Sequence, residues 1–218
     1  MKELYVLLGD VISSRKILDR PAFQHKLGEA VFKVNQEYEN DLYSQMKILK
    51  GADEVGETLT TITNIYDIMN LLWDALYPHQ MRFVLVKGKI DTGLTTKNIA
   101  KMDGPALHHA SDLMRTLKSE KLLFEMSTGQ KIIDLSLTGA LNGTIMLKKR
   151  WSPKKREIVK EYEKTGKQRL VALKLKIKQQ TVSEHLKMPN LNEITILEQK
   201  IRDALKLYSA QENLNGRV

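Results

Sequence analysis

Short apolar runs of strand length alternate along this chain with longer stretches whose apolar residues recur every three or four positions. That alternation constrains the fold more than any other feature, because side-chain periods of 2 and 3.6 belong to different backbones. Leu4-Tyr-Val-Leu-Leu8 is a β-prone run ended by Gly9-Asp10. Asp19 is placed as an N-cap with Pro21 in the first turn of a helix. Phe23, Leu27, Val31, Val34, Tyr38 and Leu42 make one apolar face, and that helix is predicted to end near Asn40. Met46-Lys-Ile-Leu49 and residues 55–61 read as two strands joined by a tight turn at Gly51-Ala-Asp-Glu54. Ile62, Ile65, Met69, Leu72, Trp73 and Leu76 form a second amphipathic helix closed by Pro78. Met81-Arg-Phe-Val-Leu-Val86 is a further strand running towards Ile90. Gly104-Pro105 opens a third helix carrying Ala106, Leu107, Ala110, Leu113, Met114 and Leu117. A strand at Leu122-Leu-Phe124 and a helix over 129–147 follow. The order β-α-β-β-α-β-α-β predicts an α+β sandwich.

From Trp151 the pattern changes to short helices. Ser152 and Pro153 are N-cap and first-turn residues of a helix reaching about Lys164, and Gly166 breaks it. Leu170, Val171, Leu173 and Leu175 mark a second helix. Residues 178–186 mark a third, with Val182 and Leu186 on its buried side and Pro189 as its stop. Ile194, Leu197, Ile201, Leu205 and Tyr208 define a long terminal helix, with Gln211 to Val218 expected to fray. The predicted division is residues 1–147 for the α+β domain and 148–218 for a small all-α domain.

Charge follows the same division. Residues 1–149 carry 19 Lys+Arg against 18 Asp+Glu, and residues 150–218 carry 16 against 8, so +8 of the net +9 lies in the last third. A near-neutral domain joined to a basic one points to a polyanionic partner, although a basic helix can equally be a solvated surface. No cysteine is present, which excludes disulfides, zinc–thiolate sites and thiol nucleophiles and fits the cytoplasm. No apolar run nears the ~20 residues of a membrane helix, so no membrane insertion is expected. The N-terminal run is too short for a secretory leader and reads as a strand.

Two helices separated by a few residues have the geometry of a helix-turn-helix, whose second helix enters the major groove of DNA. That second helix would expose Gln179, Gln180, Ser183, Glu184 and Lys187, which with Thr181 are candidates to meet base edges or phosphates. Lys154, Lys155, Arg156, Lys167, Arg169, Lys174, Lys176 and Lys178 are candidates for phosphate neutralisation. Ala172, Leu175, Ile177, Thr181, Val182, Ser183 and Leu186 resemble the helix-turn-helix pattern of many bacterial regulators, with Lys176 where the turn usually has glycine. A packing or dimerisation role for these helices is the alternative. In the first domain, Asp10 ends the first strand and Asp53 sits in the hairpin beside it. Such a carboxylate pair suits a hard cation such as Mg2+ acting with substrate phosphates, and Asp beside Gly also suits a plain turn.

Gly9-Asp10-Val11-Ile12-Ser13-Ser14-Arg15 with Asp19-Arg20, the hairpin Lys50-Gly51-Ala52-Asp53-Glu54, Arg82-Phe83 with Gly88, and Asp103-Gly104-Pro105-Ala106-Leu107-His108-His109-Ala110 together resemble the SatD family over essentially the whole chain. More distantly, the first domain resembles the class III nucleotide cyclase and GGDEF palm, which implies a ferredoxin-like sandwich with Asp10 and Asp53 as metal ligands. An alanine before Asp53 and Val55 in place of an aromatic depart from that hairpin. His108, His109, Ser111 and Arg115 stand where cyclases place an asparagine and an arginine. The resemblance therefore implies a degenerate cyclase-like sensor or interaction module, with a nucleotide as candidate ligand and Mg2+ as candidate cofactor, beside a DNA-binding output and a homodimeric assembly. A Mg-dependent nucleotide-binding or cyclase-like enzyme is the alternative. His108 and His109 point about 100° apart on a helix, which disfavours chelation and favours surface or capping roles.

Overall fold

A computed structural model of the chain describes residues 2–49, 51, 53–187 and 191–215. The chain is mixed α and β. A five-stranded sheet is built from β1 (Lys2–Val11), β2 (Leu42–Ile48), β3 (Glu54–Leu59), β4 (Met81–Ile90) and β5 (Phe124–Ser127), in the order β2-β3-β1-β4-β5. β1 runs antiparallel to both β3 and β4, β2 antiparallel to β3, and β5 parallel to β4. The helices are α1 (Arg20–Glu37), α2 (Ile65–Leu76), α3 (Pro105–Glu120), α4 (Lys131–Lys149), α5 (Pro153–Thr165), α6 (Gln168–Leu175), α7 (Gln179–Leu186) and α8 (Leu191–Asn215). No helix among the described residues is long and apolar enough to cross a membrane.

The chain forms two compact units, Met1–Asn142 with Ile201–Val218, and Gly143–Lys200, so both boundaries fall inside helices. Residues 201–215 therefore group with the sheet, whereas the predicted division places the whole terminal helix in the small all-α domain. Side-chain contacts supply the reason. Arg202 pairs with Asp67 at 2.8 Å, Tyr5 donates to Tyr208 at 3.5 Å, and Gln130 donates to Glu212 at 3.0 Å. Lys87 also pairs with Glu212. The helix does not fray from Gln211 but continues to Asn215, held partly by that Glu212 cluster. Pro189, the expected stop after α7, lies outside the described residues, as do Lys50, Ala52 and 216–218.

Within the first unit, pleating assigns alternate residues to opposite faces. Tyr5, Leu7 and Gly9 share one face with Val55, Glu57, Phe83 and Leu85, and Trp73 of α2 packs edge-on to Phe83 at 5.3 Å. Leu4, Val6, Val84 and Val86 form the other, whose core includes Ala106, Ala110, Met114 and Leu117 of α3. α1 buries Phe23, Leu27, Ala30, Val31 and Val34, its N-terminus capped by Asp19, which accepts from the Ala22 amide at 3.0 Å. Gly104 caps α3 at φ 152°, and a Cβ there would lie 2.8 Å from the Asp91 amide. Glycine is required at that close approach.

Edge strands leave backbone groups to be satisfied, and here asparagines on neighbouring helices supply the partners. Asn35 of α1 accepts from the Met46 amide at 2.7 Å and donates to its carbonyl at 3.0 Å. Asn142 of α4 accepts from the amides of Leu123 and Phe124 at 2.8 and 3.2 Å and donates to the Phe124 carbonyl at 2.7 Å.

The second unit has its own small core. Ile158, Val171, Ala172 and Val182 form its centre, with Tyr162, Leu175, Ile177 and Leu186 packed against them. Ser152 caps α5 by accepting from the Lys155 amide at 3.2 Å, and Gly166 ends that helix at φ 63°. Lys176 takes the left-handed conformation itself, at φ 52° and ψ 45°, so the turn between α6 and α7 closes without glycine.

Candidate functional site

The first unit carries a cavity of about 570 Å3 between the sheet and α3. Leu8, Leu49, Val55, Ile99, Leu107 and Met114 give it an apolar lining, and Asp10, Glu54, Ser111, Arg115 and Lys118 also line it. Gly56 lies among these walls, where a Cβ would approach Leu49, Leu8 and Ile99 at 2.8, 3.0 and 3.1 Å. A larger residue would press into the cavity's apolar side.

Strand register decides which charges meet. Asp10 lies opposite Glu54 on β3 and opposite Arg82 on β4, so the three form a row on the α3 face. Lys118 of α3 donates to Asp10 Oδ1 at 2.7 Å, and Arg82 Nε stands 3.7 Å from Asp10 Oδ2. Burial, the largest cause, holds Glu54 above the usual carboxylate range. The Lys118 charge opposes that shift, and the charges of Asp10 and Asp53 reinforce it.

Asp53 belongs elsewhere. Its backbone carbonyl accepts from the Val11 amide at 3.0 Å, and Ser14 Oγ donates to its carboxylate at 2.5 Å. It lines a separate cavity of about 260 Å3 with Ser14, Arg15, Ile17, Arg20, Phe23, Gln24 and Gly51. The expected ligands Asp10 and Asp53 are therefore engaged by different partners and line different cavities. Asp53 precedes β3, where the Val11 amide and Ser14 hydroxyl hold it, and Glu54, the first residue of the strand, is the one registered opposite Asp10. Among the described residues no group of three or more His, Asp or Glu side chains is arranged to hold a metal ion. The donor set around Asp10 does not fit Mg2+, because its carboxylate already holds an ammonium and faces a guanidinium. Nearby, His108 Nε2 lies 2.6 Å from Asp103, and the bond from His108 holds the Asp103 carboxyl below its usual range. His109 Nε2 bonds Ser127 Oγ at 3.0 Å. The two histidines thus serve different neighbours at the surface.

In the second unit the basic side chains divide by helix. Lys155 is only 5% exposed and lies over the Trp151 ring at 4.9 Å, and burial pulls its ammonium below the usual lysine range. Arg156 donates to the Lys148 carbonyl at 2.5 Å, and Lys154 pairs with Glu157 at 3.0 Å. These three residues of α5 have partners within their own unit, and Lys155 is the buried one among them. On α6 and α7 the arrangement differs. Lys167, Arg169, Lys176, Lys178, Gln179, Gln180 and Lys187 are exposed, and Thr181 and Ser183 are half-buried. Lys174 is exposed and pairs with Glu161 at 2.6 Å. Gln180 donates to Glu184 within the helix at 3.1 Å. Val182, fully buried, fixes which side of α7 faces inward.

The family model named SatD family matches residues 5–204. The chain belongs to the SatD family. No curated protein matches it. For this SatD-family chain, Lys118 and Glu57 escaped the sequence reading. Leu107, Ser111, Met114 and Lys118 fall at helical spacing on one stripe of α3, so a lysine ending an apolar stripe was the available signal for the first. Glu57 is fully buried on β3, and both its carboxyl oxygens lack a hydrogen-bond partner. A charged residue inside the run Val55 to Leu59 was the corresponding signal.

Proposed function

We infer that this protein is a DNA-binding regulator of the SatD family, with α6 and α7 as a helix-turn-helix and the sheet unit as a cyclase-like palm serving as sensor or interaction module. One observation carries the reading. α7 is anchored by Val182 and Leu186 in a three-helix core, and the same helix leaves Gln179, Gln180 and Lys187 exposed beside Lys178. The connection of Lys176, Ile177 and Lys178 has the length of a helix-turn-helix turn. Glutamine bonds adenine through two atoms in the major groove, and Lys167, Arg169, Lys178 and Lys187 suit phosphate contacts. The strand order and directions of β1 to β4 agree with a ferredoxin-like β-α-β-β-α-β sandwich, which supports the palm comparison. A cavity of about 570 Å3, with an apolar lining and a few charged groups, is of ligand-pocket size and supports a sensor role. A homodimer would present two copies of α7 to half-sites about one helical turn apart.

Metal-dependent nucleotide chemistry has less support, because Asp10 and Asp53 line different cavities. The test is a gel shift with genomic fragments and the full chain at 50 and 200 mM salt. Four phosphate contacts lower affinity roughly 100-fold over that range. The triple variant R169E/K178E/K187E should lose binding at both salts, while Q179A/Q180A should lose preference among fragments. Wild-type binding no tighter than the triple variant's would overturn the reading.

A further inference from the structure

Two carboxylates placed opposite each other on adjacent strands repel unless a cation lies with them. In metal-dependent sites that cation is divalent and brings its own demand for further oxygen ligands. Here the protein supplies the positive charge from its own chain. Glu54, Asp10 and Arg82 form a row across β3, β1 and β4, and Lys118 reaches down from α3 to Asp10 at 2.7 Å. Lys118 also acts on Glu54, opposing the effects of burial and of Asp10. Two acids and two bases thus make a neutral quartet. Asp10 is 8% exposed and inside the wall of the 570 Å3 cavity, so it is sheltered from the solvent that would otherwise screen it.

We propose that Lys118 is a tethered stand-in for a divalent cation: its ammonium closes the Asp10–Glu54 carboxylate pair to metal, so ligand binding in this cavity is metal-independent. The inference does not rest on DNA binding by the second unit. It follows that the pair is a metal site held shut by one side chain. Removing the ammonium leaves the two carboxylates with Arg82 beside Asp10, and a hard cation can then enter.

The experiment is Mn2+ titration of the full chain, read by loss of the free-ion electron paramagnetic resonance signal, with Mg2+ competition. Wild type should show no Asp10-dependent site below about 10 mM, whereas K118M should bind one Mn2+ with half-saturation below about 1 mM, the order of the weakest calcium modules. D10N/K118M should lose that site, and K118R should stay closed. K118Q is the second variant should K118M fail to fold; Lys118 is 40% exposed along its side chain, so either change is made at the cavity mouth. Wild-type binding at submillimolar Mn2+ that disappears in D10N would overturn the proposal. So would folded K118M and K118Q that gain less than tenfold over wild type.

Discussion

Glu57 offers the sharpest test of how this fold sets its own pH response. Its carboxyl is fully buried opposite Leu7, and neither oxygen has a hydrogen-bond partner. Burial first, and the charge of Asp41 second, push it up to about 8 from 4.5. A folded state that holds the proton more tightly than the unfolded chain is favoured below pH 4.5, and that advantage is lost as pH rises to about 8. At 1.36 kcal/mol per unit, the site costs the fold about 1 kcal/mol at pH 5 and about 4 kcal/mol at pH 8. The wild type should therefore lose roughly 3 kcal/mol over that interval from Glu57 alone. Glu57→Gln and Glu57→Leu remove the titration, so the difference between wild type and either variant isolates it from every other carboxylate. Urea unfolding in a Trp151→Phe background leaves Trp73, whose indole N–H donates to the Met81 carbonyl, as the reporter of the sheet unit. A wild-type-minus-variant difference that is equal at pH 5 and pH 8 for both variants would refute the reasoning.

Further expectations concern local structure. Asn142→Ala leaves the buried amides of Leu123 and Phe124 without their acceptor, and should cost roughly 2–4 kcal/mol in denaturation of the sheet unit; a change below about 1 kcal/mol would show the amides find other partners. Lys176→Gly relieves about 1–2 kcal/mol of left-handed strain against about 0.5–1 kcal/mol of added chain entropy, so a slightly higher melting temperature is expected. Lys176→Val at the same φ of 52° should lower it instead; equal melting temperatures for the two would dismiss strain as a factor. Lys155→Met, which keeps the apolar stem over Trp151 and deletes a buried ammonium, should leave DNA affinity unchanged within about twofold and not reduce stability. A large loss of affinity there would return Lys155 to the interface.

Much of the architecture was legible in the chain itself. Asp19, Ser152 and Gly166 act at helix ends as their side chains or lack of one dictate, and such capping depends on a handful of adjacent residues. The apolar stripes of α1 and α2 were visible because helical burial repeats every 3.6 residues. The functional groupings were less accessible. Asp53 and Glu54 are neighbours in sequence, and the expected ligand was Asp53; only the register of β3 against β1 sets Glu54 opposite Asp10. Lys155 looks like its neighbours Lys154 and Arg156, yet Trp151 and the packing of α5 bury it. Nothing local to 201–215 distinguishes it from the first half of α8, since its partners Tyr5, Asp67 and Lys87 lie more than a hundred residues away.

The sequence by itself determined the order of strands and helices, most of the caps, and the concentration of positive charge beyond residue 150. These depend on local propensity, side-chain period and counting. Tertiary structure alone decided that Asp10 faces Glu54, Arg82 and Lys118 while Asp53 turns to Ser14, that Glu57 is sealed inside, and that the terminal helix divides between two units. Register and docking are relations between distant segments, and a one-residue slip of β3 would turn Glu54 and Glu57 to the opposite faces.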